Sequence, residues 1–208
     1  MALGYAKPGF VYMDIGANHG YLSLALEERE IRVYATENKT GPFLTLQQSL
    51  LENGSRIQSI FTDGLDLMPP DVSGVFLLGM GSKTMEDILF REEGKLNRLS
   101  HLVIEPQTDC ENLLSRLHAS GFEEEGGSYV FEKHYYPVLS LVRSTPLPHT
   151  MAEERYGAYP LHHKDPLLKE KLEKDLSSLL MLSQKGIPGK EDEIEKIREA
   201  LDIWNSGN

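Results

Sequence analysis

The sequence predicts an α/β fold built on a doubly wound, mostly parallel sheet. Strand and helix patterns alternate five times before a final strand-rich segment, which is the sequence form of such a sheet. The first apolar run, Phe10 to Met13, ends in Asp14 and passes through Gly16 and Gly20 into the helical stretch Tyr21 to Leu26. Strand, glycine turn and helix in that order open a β-α-β nucleotide-binding unit. Polar or glycine residues also follow each run immediately, as Asp14, Glu37, Asp63, Gly79 and Glu105. In an open α/β sheet they occupy the edge where strand C-termini meet the ligand crevice.

Taken in order, residues 10–15 are the first strand and 20–29 the first helix. Ile31 to Thr36 is the second strand and ends at Glu37. Gly41-Pro42 starts a helix, because proline is tolerated in a first turn. Phe43, Leu46, Leu50 and Leu51 recur there at helical spacing until Asn53-Gly54 stops it. Ile57 to Phe61 alternates as a third strand. Val72 to Leu78 ends in continuous apolar sequence, as a buried parallel strand does. Gly79-Met80-Gly81-Ser82 is expected to close it before one helix containing Met85, Ile88, Leu89 and Leu96. Leu102 to Ile104 is the fifth strand, Cys110 to Ser120 a helix, and two strands are expected within 122–131 and 135–142.

Composition changes after Ser144. Residues 145–161 read as a linker, and 162–208 as charged helix. Leu168, Leu172, Leu176, Leu179 and Leu180 form one apolar stripe, and Ile194, Ile197, Leu201 and Trp204 form another. Gly186-Ile187-Pro188-Gly189 lies between them, giving an antiparallel helical hairpin. It is either a stabilising cap, an arm for a macromolecular substrate or a dimerisation element.

The chain has 208 residues, 40% of them apolar, and a formal net charge of −11. That content suits a packed core, and the charge disfavours non-specific adhesion to nucleic acid or anionic membrane. No apolar run is long enough to span a bilayer, and no basic segment precedes a signal-like stretch. The single cysteine, Cys110, supports neither a disulfide framework nor a structural zinc site. His162-His163 has no ligand companions nearby, so no metal is expected. The expectation is a cytoplasmic protein that does not bind membranes, monomeric rather than an obligate oligomer.

The opening turn lacks the three glycines of G-x-G-x-x-G, and a carboxylate there would repel a pyrophosphate. Glu37, after the second strand, is placed to accept from ribose hydroxyls. Asp63 is placed to accept from an adenine amino group, and Asp14 to hold an amino-acid ammonium, directly or through water. Acids without a phosphate cradle favour S-adenosylmethionine over a nicotinamide cofactor.

These pieces, in this order, resemble the bacterial tRNA (adenine-22, N1) methyltransferase family over nearly the whole chain. The segments concerned are Asp14 to Leu22, Glu37, Thr62-Asp63-Gly64-Leu65, Gly79 to Ser82, Glu105-Pro106-Gln107 and Arg155-Tyr156-Gly157. Asn18, Gly20, Ser82, Glu105 and Gln107 depart from the family pattern. The resemblance implies a class I methyltransferase (Rossmann-like) fold over residues 1–144 and S-adenosyl-L-methionine as cofactor. It also implies tRNA as partner, engaged by the hairpin.

The cofactor-binding set it implies is Asp14, Gly16, Asn18, His19, Glu37, Asn38, Asp63, Gly64 and Gly79. Gly79, Met80, Gly81 and Glu105 are the residues expected to position substrate. Arg143, Arg155, His162, His163, Lys164, Lys169, Lys171 and Lys174 are the cations nearest to hand for phosphate contacts. A methyltransferase for another RNA or small substrate, and a catalytically impaired relative that binds cofactor or RNA, stay open at this level.

Overall fold

The computed structural model describes residues 1–185 and 187–206, with Glu93 through its backbone alone. Gly186, expected in the turn of the hairpin, lies outside the described residues, as do residues 207 and 208. The chain divides into two compact units. The first holds Met1–Thr108 with Ser140–Arg143; the second holds Asp109–Leu139 and the chain from Ser144 onward.

The first unit alternates as the apolar runs dictate. After a short 3-10 turn at Ala2–Tyr5 come β1 (Val11–Ile15), α1 (Tyr21–Glu27), β2 (Arg32–Glu37), α2 (Thr40–Glu52), β3 (Gln58–Phe61) and β4 (Gly74–Met80). Then follow α3 (Ser82–Phe90), α4 (Glu93–Leu96) and β5 (His101–Pro106). Strands β1 to β5 are parallel, with Val11 opposite Arg32, Tyr12 opposite Gly74, Tyr34 opposite Gln58 and Gly74 opposite His101. The second unit holds α5 (Glu111–Ala119), β6 (Phe122–Glu132), the first part of β7 (His134–Arg143), α6 (Met151–Tyr156) and α7 (Ala158–His162). It ends with α8 (Pro166–Gln184) and α9 (Glu191–Ser206). The strand order is β3-β2-β1-β4-β5-β7-β6. The reversal at β1, where successive crossovers pass to opposite sides, is the topological switch point of a doubly wound sheet.

Burial on both faces explains the unbroken apolar character of β4 and β5, since Val75, Phe76, Leu77, Leu102, Val103 and Ile104 are all fully buried. Tyr12 on β1 fits only because β4 begins with Gly74. A Cβ at that glycine would lie 2.5 Å from the Tyr12 ring. The Tyr12 hydroxyl and His101 Nδ1 share a 2.6 Å hydrogen bond, and His101 Nε2 and Ser140 Oγ share one at 2.8 Å. Buried polar groups joined in this way avoid the cost of desolvation without partners.

Several sequence expectations are corrected. The strand expected to close at Gly79 runs on to Met80 through a bulge, where the register with β5 shifts between Leu78 and Met80. Gly79 has φ +68° there, a conformation that glycine adopts without steric cost. The single helix expected to span Met85 to Leu96 is two helices, interrupted at Arg91 and Glu92. Residues 145–161, expected as a linker, carry α6 and α7. Thr150 opens α6 with a capping box, its hydroxyl accepting from Glu153 N–H while the Glu153 carboxylate accepts from Thr150 N–H. His162 ends α7, whereas Asp165 caps α8 by accepting from Leu168 N–H.

The helical hairpin builds the core of the second unit. Leu168, Leu172, Ile197 and Ala200 are buried with Tyr129, Ala152, Tyr156 and Leu161. Trp204 Nε1 donates to the Asp165 carbonyl at 3.1 Å. Cys110 is buried, its thiol pushed up to about 12 by desolvation, which removes it as a nucleophile near neutral pH.

Candidate functional site

The C-terminal ends of β1 to β4 surround a cleft of about 340 Å³. Its wall includes Gly16, Glu37, Asn38, Asp63, Gly64 and Met80, together with Thr84, Asp87, Ile88 and Arg91. The turn after β1 is held onto the end of β2. Gly16 N–H and Ala17 N–H both donate to the Thr36 carbonyl, at 3.1 and 2.9 Å. Gly16, Asn18 and Gly20 all have positive φ. At Gly20 this is compounded by space, because a Cβ would stand 2.8 Å from Leu46 Cδ1. The turn therefore packs directly onto α2, and a side chain at that point would have to displace the end of Leu46.

Glu37 is 8% exposed, and its Oε1 accepts from Asn18 N–H at 2.7 Å. Its Oε2 has no hydrogen-bond partner among the described residues, and Glu37 lines the cleft. Asp14 lies deeper. Its Oδ2 accepts from the Ser23 hydroxyl at 2.7 Å, and it is buried and absent from the cleft wall. Desolvation raises it to about 6; the Glu37 charge adds to that, and the Ser23 bond opposes it.

Asp63 has both oxygens engaged. Asn38 Nδ2 donates to Oδ1 at 3.0 Å, and Arg91 Nη1 donates to Oδ2 at 2.8 Å. The Asn38 bond, then the Arg91 bond, hold its carboxyl below the usual range. A carboxylate has about four lone-pair directions, so Asp63 can still accept from a ligand donor. Gly64 follows with φ +56°, and a Cβ there would meet Ile88 at 3.0 Å. It thus lets the loop after β3 sit against α3.

At the end of β4, Met80 follows the bulge at Gly79, its Cε 3.5 Å from where a Gly16 Cβ would be. Met80 is the one residue of the expected substrate-positioning set on the cleft wall. Gly79, Gly81 and Glu105 are not on it, and Glu105 sits in β5 opposite Leu78. Ser82 N–H donates to Thr108 Oγ1 at 2.9 Å, the two hydroxyls lie 2.8 Å apart, and Gln107 N–H donates to the Met80 carbonyl at 3.0 Å. The end of β5 thereby fixes the Gly81-Ser82 turn. His19 is exposed and stacks on Tyr21, with ring centroids 5.5 Å apart, away from the cleft wall.

Arg91 and Thr108 carry no sequence signal. Arg91 reads as a helix-surface cation until the break after α3 sends its guanidinium to Asp63 and Asp66. Thr108 reads as loop.

In the second unit, the cations expected to meet phosphate are largely engaged. Arg155 pairs with Asp109, Glu111 and Glu193, and Lys171 with Asp175. His162 pairs with Glu153. Lys169 and Lys174 stand over the Trp204 and Tyr135 rings. In the first unit, the Arg143 guanidinium donates to the carbonyls of Leu96 and Leu99.

Comparison with known proteins agrees with this fold. A protein of the NADB-Rossmann superfamily from Streptococcus agalactiae is 26% identical, with a TM-score of 0.86 over 96% of this chain and 94% of that one. A candidate tRNA (m1A22) methyltransferase from Streptococcus pneumoniae is 25% identical, with a TM-score of 0.87 over 96% of each chain. The structure of that protein in complex with S-adenosyl-L-methionine gives 24% identity and a TM-score of 0.85, again over 96% of each chain. A comparison with curated protein sequences gave no match. The family model described as a methyltransferase domain matches residues 3–139, a span that contains every residue of the cleft. With that match added to the strand order, the clamped turn and the acids at the ends of β2 and β3, the chain belongs to the methyltransferase domain family.

Proposed function

We propose that the chain transfers a methyl group from S-adenosylmethionine to N1 of an adenine in tRNA, at position 22. The observation that carries this reading is the extent of the likeness to the Streptococcus pneumoniae protein. It takes in 96% of both chains, and so includes the helices after Ser144 as well as the cofactor-type cleft.

The cleft suits the cofactor. Its volume of about 340 Å³ falls within the range of small-molecule sites. Its free acceptor, Glu37 Oε2, suits ribose hydroxyls, and the loop Asn38, Asp63 and Gly64 suits the adenine end. Gly16 and its neighbours bring bare backbone to the amino-acid end. Asp14, buried with its Oδ2 accepting from Ser23, suits the water-mediated of the two contacts with the amino-acid ammonium that its position offers. When bound, the cofactor supplies a methyl group on a positively charged sulfur.

Adenine N1 brings its own in-plane lone pair, so the protein has no strong base to provide. Its tasks are alignment and exclusion of water. The Met80 side chain, on the cleft wall and held in place through Gln107, is the surface against which the base is aligned. The base itself must leave its stack to reach it.

The test is transfer of radiolabel from S-adenosylmethionine to unmodified tRNA, followed by nucleoside analysis and mapping of the modified position. Labelled 1-methyladenosine at position 22 is the expected result. Label in another nucleoside would overturn the substrate assignment. Cofactor binding without any transfer would make the chain a binding relative.

A further inference from the structure

The second unit brings together three ligand-type side chains from three separate segments. They are His118 near the end of α5, Glu123 at the start of β6 and His149 just before α6. One donor atom from each lies within 4.8 Å of the other two. His118 is 3% exposed, and neither of its ring nitrogens has a hydrogen-bond partner among the described residues. The Glu124 carboxylate comes within 3.7 Å of Nε2, beyond hydrogen-bonding distance. A polar group buried in this way costs about 1–3 kcal/mol, so the site calls for a partner.

The His118 and His149 rings are stacked, with centroids 3.7 Å apart and planes at 19°, and His149 Nε2 lies 2.8 Å from Glu123 Oε2. A cation shared by the three side chains would supply the partner that His118 lacks. The surroundings favour positive charge. The side chains of Glu123, Glu124 and Glu153 are 10%, 1% and 12% exposed.

Glu124 is already committed to Ala158 N–H and Tyr159 N–H, and Glu153 to Thr150 N–H and His162. Glu123 uses Oε1 for Leu147 N–H, whereas Oε2 faces His149 Nε2 at 2.8 Å. Glu123 Oε2 is therefore the oxygen directed at the cluster, and Glu124 and Glu153 supply field.

We propose that His118, Glu123 and His149 bind a divalent cation of the zinc type, with a fourth position for water. Two imidazoles and one carboxylate match the ligand set of zinc sites; magnesium and calcium take oxygen ligands instead. Metal–ligand bonds of about 2.0–2.2 Å at tetrahedral angles put donors about 3.4 Å apart. Binding therefore requires the stacked His118 and His149 rings to splay by side-chain rotation, so that their in-plane lone pairs converge on the ion. The ion ties the end of α5, the start of β6 and the segment before α6 to one point, so its binding energy adds to the stability of the second unit. His118 and Glu123 lie five positions apart and His149 a further 26 along, a spacing that forms no compact ligand motif.

The experiment uses the full chain, stripped with a chelator and given Zn²⁺ alone, in competition with a chromogenic chelator. The expected result is one retained equivalent and a raised thermal midpoint, with Co²⁺ giving the intense visible bands of a four-coordinate site. Glu123→Gln and His149→Gln should each weaken binding by at least about 100-fold, the upper end of what loss of an outer-shell partner produces. His118→Phe, which preserves the stack on His149, should abolish it. Failure to retain Zn²⁺, or retention with unchanged affinity in Glu123→Gln and His149→Gln, would overturn the site. If His118→Phe does not fold, Glu123→Gln decides the matter, because its side chain has nearly the same shape.

Discussion

Replacing Glu37 separates two roles held by one side chain. Oε1 accepts from Asn18 N–H at 2.7 Å and so clamps the opening turn; Oε2 is the proposed acceptor for ribose. Glu37→Ala releases the exposed Asn18 N–H to water, which costs turn stability, and removes a charged acceptor for the ligand, at about 1.5–3 kcal/mol. Only the second effect distinguishes bound from free protein. The expected loss is therefore about 1.5–3 kcal/mol, or roughly a 10- to 150-fold fall in affinity for S-adenosylmethionine. Glu37→Gln keeps a carbonyl for Asn18 and exchanges only the charged acceptor for a neutral amide, so it should cost about 1 kcal/mol, roughly fivefold. Isothermal titration calorimetry reads both values, and thermal unfolding without ligand should show Glu37→Ala as the less stable variant. Wild-type affinity in Glu37→Ala would refute the ribose role. Equal damage from the two variants would refute the division of labour between the oxygens.

Two other perturbations follow from the same region. Asp14 stands at about 6 when folded against 3.8 ordinarily, so between those pH values the folded chain holds a proton that the unfolded chain has released. Stability should fall as pH rises through that window, by up to about 3 kcal/mol at neutral pH. Asp14→Asn still offers an acceptor to Ser23, and it should flatten this slope and gain stability at pH above about 6. Urea denaturation across the window checks it, and an unchanged slope would refute the burial argument. Thr108→Val removes the hydroxyl that accepts from Ser82 N–H at nearly constant volume. It should lower kcat while leaving cofactor affinity within about twofold of wild type; equal losses in both would mean that Thr108 supports the fold generally and not the turn after β4.

The division between local and long-range information follows the physics of each feature. Runs such as Val75 to Leu78 and Leu102 to Ile104, and the spacing of Leu46 and Leu50, are local patterns whose burial requires the elements they form. Their alternation left a doubly wound sheet as the consistent topology. That topology put Glu37 and Asp63 at one edge, and the structure places both on the wall of one cleft.

What the sequence withheld depends on partners far along the chain. β4 continues through Gly79 because β5 pairs with Met80 across a shifted register. Arg91 reaches Asp63 because the helix breaks beside it. Asp14 faces Ser23 instead of the cleft. The hairpin after residue 162 is core because Tyr129, Ala152 and Tyr156 pack against it. His118, Glu123 and His149 become neighbours only once β6 and the segment before α6 have folded onto α5. By itself, then, the sequence determined the strands, most of the helices, their order and the strand-end acids, because periodicity and chain connectivity are local properties. The tertiary structure alone decided which side chain meets which, because those encounters are set by packing between segments that no sequence spacing records.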